Sequence, residues 1–491
     1  MKKIVLALAS VTLALLLSLG TSSSMPKDAQ ALTAKPNIIF IITDDMRKDD
    51  LKYMLKTRSV LKNKGMTFEN AFVSHAVCCP ARATIMRGQY AHNTNVWSNT
   101  ASDSSSTTSG GWRAYKNNGN EADNVATRLH DIGYRTGLFG KYLNGYTDTT
   151  TVIPRGWDRW FATQQKYFDY NVNDQGTIKR FGSKASDYQT DVLSRKTNTF
   201  ISASASQGMP FFAYVAPKAP HAPFTPAPRD QHTYDGLKAP RLPSFNESDV
   251  SDKPSWIRQL PRLSDSKKQR IDNQAEKRAE SLQAVDDLVA GVVGKLSDKG
   301  VLSNTYIFFT SDNGFHHGEH RIPYGKWRPY EEDIHMPLLV RGPKVAAGST
   351  TKKLALNTDY MPTFTDLACS PDPTLCETLK TQNNWYVPDG RSLKSVLEGN
   401  SSAWRNAILL EASAHYSPAY RGIRTVNTST TTRRKYVEYA GGARELYYLK
   451  SDPYELTDRY KATSPPSDLV SQLSSLKSCA GNRCRMAENG Q

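Results

Sequence analysis

The sequence predicts an α/β protein built around an open sheet that carries its polar site at one edge. Two runs, Asn37-Ile38-Ile39-Phe40-Ile41-Ile42 and Tyr306-Ile307-Phe308-Phe309-Thr310, have the length and unbroken apolar character of fully buried strands. The first runs straight into Thr43-Asp44-Asp45 and the second into Ser311-Asp312-Asn313-Gly314. Between them strand-like and helical segments alternate, the pattern of α/β proteins. Open α/β sheets hold ligands at the carboxyl ends of their strands. Two strands that each deliver carboxylates or an amide there describe a hard oxygen-ligand site, suited to Ca²⁺ or Mg²⁺ rather than zinc. Taken singly, an Asp-Asp pair is as often an Asx turn capping the next helix.

The chain has 491 residues, enough for one large domain and a smaller one. With 38% hydrophobic and 10% aromatic residues, extensive disorder is excluded. The formal charge of +16 favours anionic partners without selecting among them. No basic cluster interleaved with aromatics occurs, which argues against nucleic acid.

In chain order, Lys2-Lys3 precedes an apolar run at 4–19 broken only by Ser10, Thr12 and Ser18, and Ala29-Gln30-Ala31 follows as a cleavage site. Residues 1–31 therefore read as a signal peptide, with Ala34 a second cleavage candidate and a retained anchor the alternative. The run is short for a membrane span and no second one appears. A secreted or extracytoplasmic protein is expected. After the strand at 37–42 comes Ser74-His75-Ala76-Val77-Cys78-Cys79-Pro80-Ala81-Arg82-Ala83-Thr84-Ile85-Met86-Arg87-Gly88. Pro80 suits the first turn of a helix, Ala81 to Met86 continue it, and Gly88 stops it. Cys78 then sits at a helix N-terminus, where unpaired N–H groups and the macrodipole favour an anion, and Arg82 lies one turn on. A bare Cys-Cys-Pro is more often a buried or disulfide-bonded pair than a functional thiol.

Residues 122–132 read as a helix stopped by Gly133, and 135–142 as a strand with Lys141 at its end. Residues 211–217 form another strand, leading to Lys218-Ala219-Pro220-His221-Ala222-Pro223, where two prolines hold a histidine stiffly. Residues 225–268, rich in Pro, Asp, Ser and Arg, read as an excursion from the core. Residues 275–296 give the clearest helix, with Leu282, Val285, Leu288, Val289, Val292 and Leu296 on its buried face and Gly300 beyond its end. Loops begin near 368, and short strands recur at 407–411, 436–439 and 446–449. Cys369/Cys376 and Cys479/Cys484 are spaced for two local disulfides, in keeping with export.

Cys78-x-Pro80-x-Arg82 followed by Ala83-Thr84-Ile85-Met86-Arg87-Gly88 resembles the signature of the type I sulfatases. The other motifs agree: Asp44-Asp45, Gly140-Lys141-Tyr142, Pro220-His221-Ala222-Pro223, Asp312-Asn313, Gly325-Lys326-Trp327 and Glu445-Leu446-Tyr447…Asp452-Pro453-Tyr454-Glu455. Within that family the chain looks most similar to the N-acetylglucosamine-6-sulfatase and arylsulfatase branch. The resemblance implies an alkaline-phosphatase-like fold with a mixed, mostly parallel sheet flanked by helices over 35–368. A smaller α+β subdomain with a short antiparallel sheet follows over 369–491. It implies that Cys78 is converted to formylglycine by the formylglycine-generating enzyme during synthesis. It implies a calcium ion held by Asp44, Asp45, Asp312, Asn313 and the residue at Cys78. Arg82, Lys141 and His221 carry over as sulfate-binding and catalytic residues, and Lys326 as the lysine beside the leaving-group oxygen.

The implied reaction is hydrolysis of a sulfate monoester, with a sulfated glycosaminoglycan sugar such as N-acetylglucosamine 6-sulfate, or an aryl sulfate, as substrate. The hydrated formylglycine attacks sulfur, and His221 or Lys326 assists the departing alcohol. Two departures stand out. Ala81 replaces the commoner serine, and Leu143-Asn144 stands where many sulfatases place a histidine. That leaves the base for sulfate elimination open, with His92 and His317 as candidates. Glu331/Glu332 read as structural. The competing functions are a phosphonate or phosphate ester hydrolase of the same superfamily and a secreted, non-catalytic polyanion-binding protein.

Overall fold

The computed structural model describes residues 35–491 apart from 101–109, 148, 164–165, 401–402 and 427–432; the expected signal peptide lies outside the described residues. The larger sheet begins with β1 (Asn37–Thr43), β2 (Met66–Phe72), β3 (Arg135–Gly140), β4 (Arg159–Thr163) and β5 (Tyr170–Asp174). It is completed by β6 (Thr177–Phe181), β7 (Phe211–Ala216), β8 (Thr305–Ser311), β9 (Leu338–Arg341) and β10 (Ser349–Leu356). Their spatial order is β10-β2-β9-β8-β1-β7-β3-β4-β5-β6. The centre, β8-β1-β7-β3-β4, is parallel throughout, and the antiparallel pairs lie on either side of it.

Burial on both faces explains the unbroken apolar runs. Ile38, Phe40 and Ile42 of β1 pack on one side with Tyr214, Phe308 and Phe364. Ile39 and Ile41 pack on the other with Leu282, Val285, Leu288, Val289, Val292 and Leu296, the stripe read from the sequence. The helix carrying that stripe is Asp265–Asp298, starting ten residues earlier than the apolar periodicity indicates. Its first turns are polar and mostly exposed, so no stripe marks them; Ser264 caps the start by accepting from the Lys267 N–H at 3.4 Å. The helix expected at 122–132 is shorter, Val125–Asp131, because Asn124 caps it by accepting from the N–H groups of Ala126 and Thr127.

A second, four-stranded antiparallel sheet, β11 (Ala407–Ala412), β12 (Tyr420–Val426), β13 (Arg433–Tyr439) and β14 (Arg444–Tyr448), lies late in the chain. Three of these strands are legible as apolar runs. β12 is not, because Arg421, Gly422 and Arg424 interrupt it; pairing with β11 and β13 on both sides makes it a strand. Leu469, Leu473 and Leu476 of the helix Ser467–Leu476 pack into the same cluster. Cys369–Cys376 and Cys479–Cys484 form disulfides. Among the described residues no helix is long and apolar enough to cross a membrane.

The parallel centre has one decisive consequence for the site. The carboxyl ends of β8, β1, β7 and β3 all reach the same edge, so Asp312, Asp44, Lys218 and Lys141 emerge side by side. Gly140 makes the last of these placements possible. Its φ is +112°, and a Cβ there would sit 2.1 Å from the carbonyl oxygen of Ala216 on the neighbouring strand. Gly140→Ala is expected to cost about 1–3 kcal/mol in urea unfolding and to displace Lys141; unchanged stability would show that the two strands can separate freely here.

Candidate active site

The helix Cys78–Arg87 starts beside this edge. Val77 is extended, Cys78 is the first helical residue, and Gly88 ends the helix in the left-handed conformation with φ +63°. Cys78 and Cys79 are both buried and both free, so the vicinal pair is not a disulfide. The Cys78 thiol donates to Asp44 Oδ1 at 3.2 Å and lies 3.8 Å from Asp45 Oδ1, and Lys326 Nζ approaches its sulfur at 2.7 Å. Lys326 also pairs directly with Asp45. Lys141 Nζ pairs with Asp44 Oδ2 at 2.6 Å. Arg82 Nε pairs with Asp312 Oδ2 at 2.8 Å, and its Nη1 donates to the Lys141 carbonyl at 3.1 Å. Asp312 Oδ1 accepts from the Asp45 N–H at 3.1 Å, and Asn313 Nδ2 donates to Asp45 Oδ1 at 2.7 Å. His221 Nε2 lies 3.6 Å from Asp45 Oδ2. The nine residues nominated from the sequence, drawn from six separate stretches, thus form one connected cluster.

Buried carboxylates repel one another, and the cations decide how they ionise. Burial works against the Asp44 charge, but Lys141, His221, Arg82 and Lys326 outweigh it and hold this carboxyl well below its usual range. Asp45 is lowered too, as Lys326 and His221 overcome burial. Asp312 moves the other way: burial and the Asp44 charge raise it against Arg82 and Lys141. Burial disfavours the Lys326 ammonium, yet Asp45, the Cys78 sulfur and Asp44 hold it well above its ordinary value. Burial, joined by Asp44, pushes the Cys78 thiol up despite Lys141 and Lys326.

The donor set fits a hard divalent cation. Three carboxylates and an amide converge in a buried site, and Asn313 Oδ1 has no hydrogen-bond partner. Arg82 Nη2 is likewise buried without a partner, a donor available to an anion. The oxygens of Asp44, Asp45, the Cys78 sulfur and a His221 nitrogen lie within 4.8 Å of one another.

Three supporting residues escaped the sequence reading. Lys218, only 2% exposed, brings Nζ to 3.3 Å from His221 Nδ1; burial lowers its pKa to about 8. Arg278, buried in the long helix, donates to the Asp45 carbonyl at 2.7 Å and pairs with Asp50 at 2.9 Å, which steadies the turn where Asp45 has φ +67°. The Ser311 hydroxyl accepts from the Met46 N–H and donates to the Asn313 carbonyl, both at 2.9 Å. Lysine beside a Pro-His motif was the one available signal; the other two are ordinary in sequence and acquire a role only by placement.

Neither candidate base is hydrogen-bonded through its ring to this network. His92 bonds Glu411 at 3.0 Å and the Cys479 carbonyl at 2.9 Å. His317 is buried with neither ring nitrogen partnered, beside Phe315, and burial lowers its pKa well below the ordinary value. Leu143 packs into the hydrophobic core. Glu331 is structural as read, pairing with Arg424 at 3.0 Å.

Fold and cluster together give an α/β sheet that gathers carboxylates, an amide and three cationic side chains at one carboxyl edge. Comparison with known proteins is specific. The sulfatase family model matches residues 36–370, and that for the C-terminal part of N-sulphoglucosamine sulphohydrolase matches 318–478. Human N-acetylglucosamine-6-sulfatase is 34% identical, over 92% of this chain and 86% of its own. An arylsulfatase of Volvox carteri is 30% identical, over 93% and 76%. Among solved structures, one in complex with its substrate D-glucosamine-2-N,6-O-disulfate shares the fold with a TM-score of 0.71 at 22% identity, covering 93% of this chain and all of that one. The chain belongs to the sulfatase family and is a sulfuric ester hydrolase.

Removing the guanidinium leaves Asp312 buried without its partner, so Arg82→Met is expected to cost about 3–5 kcal/mol in urea unfolding; a loss below about 1 kcal/mol would mean that Asp312 is paired elsewhere. A second expectation concerns pH. Burial disfavours the His92 cation, but Glu411 and the Cys479 carbonyl outweigh it and raise its pKa above 6.5. Its stabilising contribution is therefore complete below 6.5 and lost as pH rises through the raised native value. His92→Gln should remove that slope from the stability–pH curve; an unaltered slope would assign it to another group.

Proposed function

We propose that the protein hydrolyses the sulfate ester of a sulfated sugar such as N-acetylglucosamine 6-sulfate in a glycosaminoglycan. The observation that carries this reading is the Cys78 side chain, held at a helix N-terminus against Asp44 and Asp45 with Lys326 Nζ 2.7 Å from its sulfur. The similarity to human N-acetylglucosamine-6-sulfatase supports the choice of sugar. Asp44, Asp45, Asp312, Asn313 and the residue at position 78 would hold a calcium ion, whose charge draws electron density from the sulfuryl oxygens. The Cys78 sulfur stands where a formylglycine made by the formylglycine-generating enzyme would carry its oxygens. A hydrated aldehyde there would supply an oxygen nucleophile and a second hydroxyl from which sulfate could be expelled.

The chain's own residues do the rest. A sulfate monoester resists attack because its negative charge repels nucleophiles and its alkoxide is a poor leaving group. Arg82, Lys141 and Lys326 offset that charge and fix the orientation of the sulfuryl group. Arg82 and Lys141 reach this position through carboxylate pairs, so their charged ends cannot swing away when substrate is absent. The His221 Nδ1 lies 2.9 Å from the Ala222 carbonyl and Nε2 lies 3.6 Å from Asp45 Oδ2; in the imidazolium the Nδ1–H is held by that carbonyl, and the Nε2–H faces the cluster as the proton for the departing alcohol. Export is supported by the two disulfides and the apolar N-terminal run. Every nominated site residue falls within 35–368, which we take as the catalytic domain, with 369–491 as the C-terminal subdomain.

Peptide mass spectrometry of protein from its native host should find an aldehyde or its hydrate at position 78 in the tryptic peptide ending at Arg82, and Cys78→Ala should lose sulfate release. A free thiol at position 78 in fully active protein would overturn the reading.

A further inference from the structure

The loop that carries Lys326 also carries aromatic side chains. Trp327, its neighbour in sequence, has φ +96° and donates its indole N–H to the Ser413 carbonyl at 3.0 Å. On the Trp327 ring lies His415, with centroids 4.3 Å apart and planes at 33°. Against His415 lies Tyr416, with centroids 4.2 Å apart. Tyr416 also meets Trp327 edge-on at 6.3 Å, and the Arg328 guanidinium lies 5.6 Å from its ring centre. Arg328 in turn donates to the Lys326 carbonyl at 3.0 Å. Tyr416 is thus packed by three side chains and yet remains 59% exposed. Single exposed aromatics are ordinary on protein surfaces. One whose ring packs on Trp327 and Arg328, the two residues that follow Lys326, is a different matter.

We infer that Tyr416, seated on His415 and Trp327, is the platform on which the ring of the sulfated sugar stacks. This deepens the proposed activity and rests on it for the identity of the sugar. A pyranose presents a face of axial C–H groups that is apolar, while its hydroxyls and ester project from the rim. The face of an exposed aromatic ring is the surface complementary to that apolar face. The packing beneath Tyr416 fixes the ring before substrate arrives, so little ordering entropy is lost on binding. Because Arg328 bonds the Lys326 backbone and lies against Tyr416, the position of the sugar and that of the lysine are set by one loop. The β11–β12 connection, outside the sheet that carries the metal-binding carboxylates, thereby takes part in substrate selection.

Steady-state kinetics on N-acetylglucosamine 6-sulfate test this. Tyr416→Ala is expected to raise KM about three- to tenfold with the loss confined to KM, as for uniform binding energy removed from ground and transition states alike. Tyr416→Phe, which keeps the ring, should restore KM. Inhibition by inorganic sulfate, which has no ring to stack, should be the same in wild type and in Tyr416→Ala. An unchanged KM in Tyr416→Ala, an equal loss in Tyr416→Phe, or weakened sulfate inhibition would each overturn the platform. Should the wild-type protein release no sulfate from any sugar, the activity reading fails instead. The platform is then read from binding of unsulfated methyl N-acetylglucosaminide by saturation-transfer NMR: signal lost in Tyr416→Ala supports it, and signal retained refutes it.

Discussion

The structure depends on keeping three carboxylates together inside a protein. Asp44, Asp45 and Asp312 are all buried, and unit charges so close in a medium of low dielectric would drive one another to protonate. Arg82, Lys141 and Lys326 oppose this by pairing with one carboxylate each, which lowers Asp44 and Asp45 while burial and the Asp44 charge still raise Asp312. The result is a cluster of matched charge from which no member can be removed without leaving an opposite charge stranded. Both signs line one buried site. The carboxylates and Asn313 suit a cation, and the ammonium and guanidinium groups suit the anionic ester. Hydrolysis of a doubly hindered ester, anionic and with a poor leaving group, needs both in one place.

Holding six charged side chains in register requires a rigid frame, and the parallel centre of the sheet supplies it. Four neighbouring strands end at one edge, so each contributes residues with its backbone already fixed by ladder bonds on both sides. Close backbone approaches tighten the frame further. Gly140 touches the carbonyl of Ala216, and a Cβ on Gly314, next to Asn313, would lie 1.9 Å from the Glu332 carbonyl oxygen. Arg278 reaches in from the long helix to hold the Asp45 turn from behind. The helix therefore serves the site through one arginine as well as the core through its leucine and valine stripe.

The small antiparallel sheet anchors the remaining piece, the loop that delivers Lys326. Lys435 of β13 pairs with Glu455 and donates to the Pro329 carbonyl at 2.6 Å. Arg424 of β12 pairs with Glu331, whose backbone N–H is accepted by Glu455 at 2.9 Å. These groups are buried or nearly so, and buried ion pairs contribute more to a unique geometry than to net stability. They hold residues 329–331 and with them the stretch that runs back through Trp327 to Lys326.

By itself the sequence determined the α/β class, the central strands and the long helix, and its resemblance to the sulfatases nominated the nine residues that gather at the sheet edge. Those features are local: an apolar run buried on both faces, a helical stripe, a Cys-x-Pro-x-Arg turn, an Asp-Asn after a strand. What it could not convey is anything set by contact across the chain. β12 forms a strand because two partners impose it on a run broken by Arg421, Gly422 and Arg424. The long helix extends ten residues past its stripe because a cap and not an apolar face defines its start. His92 was a credible base until the fold turned it toward Glu411. Lys218, Arg278 and the Tyr416 platform have ordinary local sequences, and only tertiary packing gives them a function. Residue type and short-range periodicity are written in the chain, whereas charge pairing and burial between residues hundreds of positions apart exist only once the sheet has brought them together.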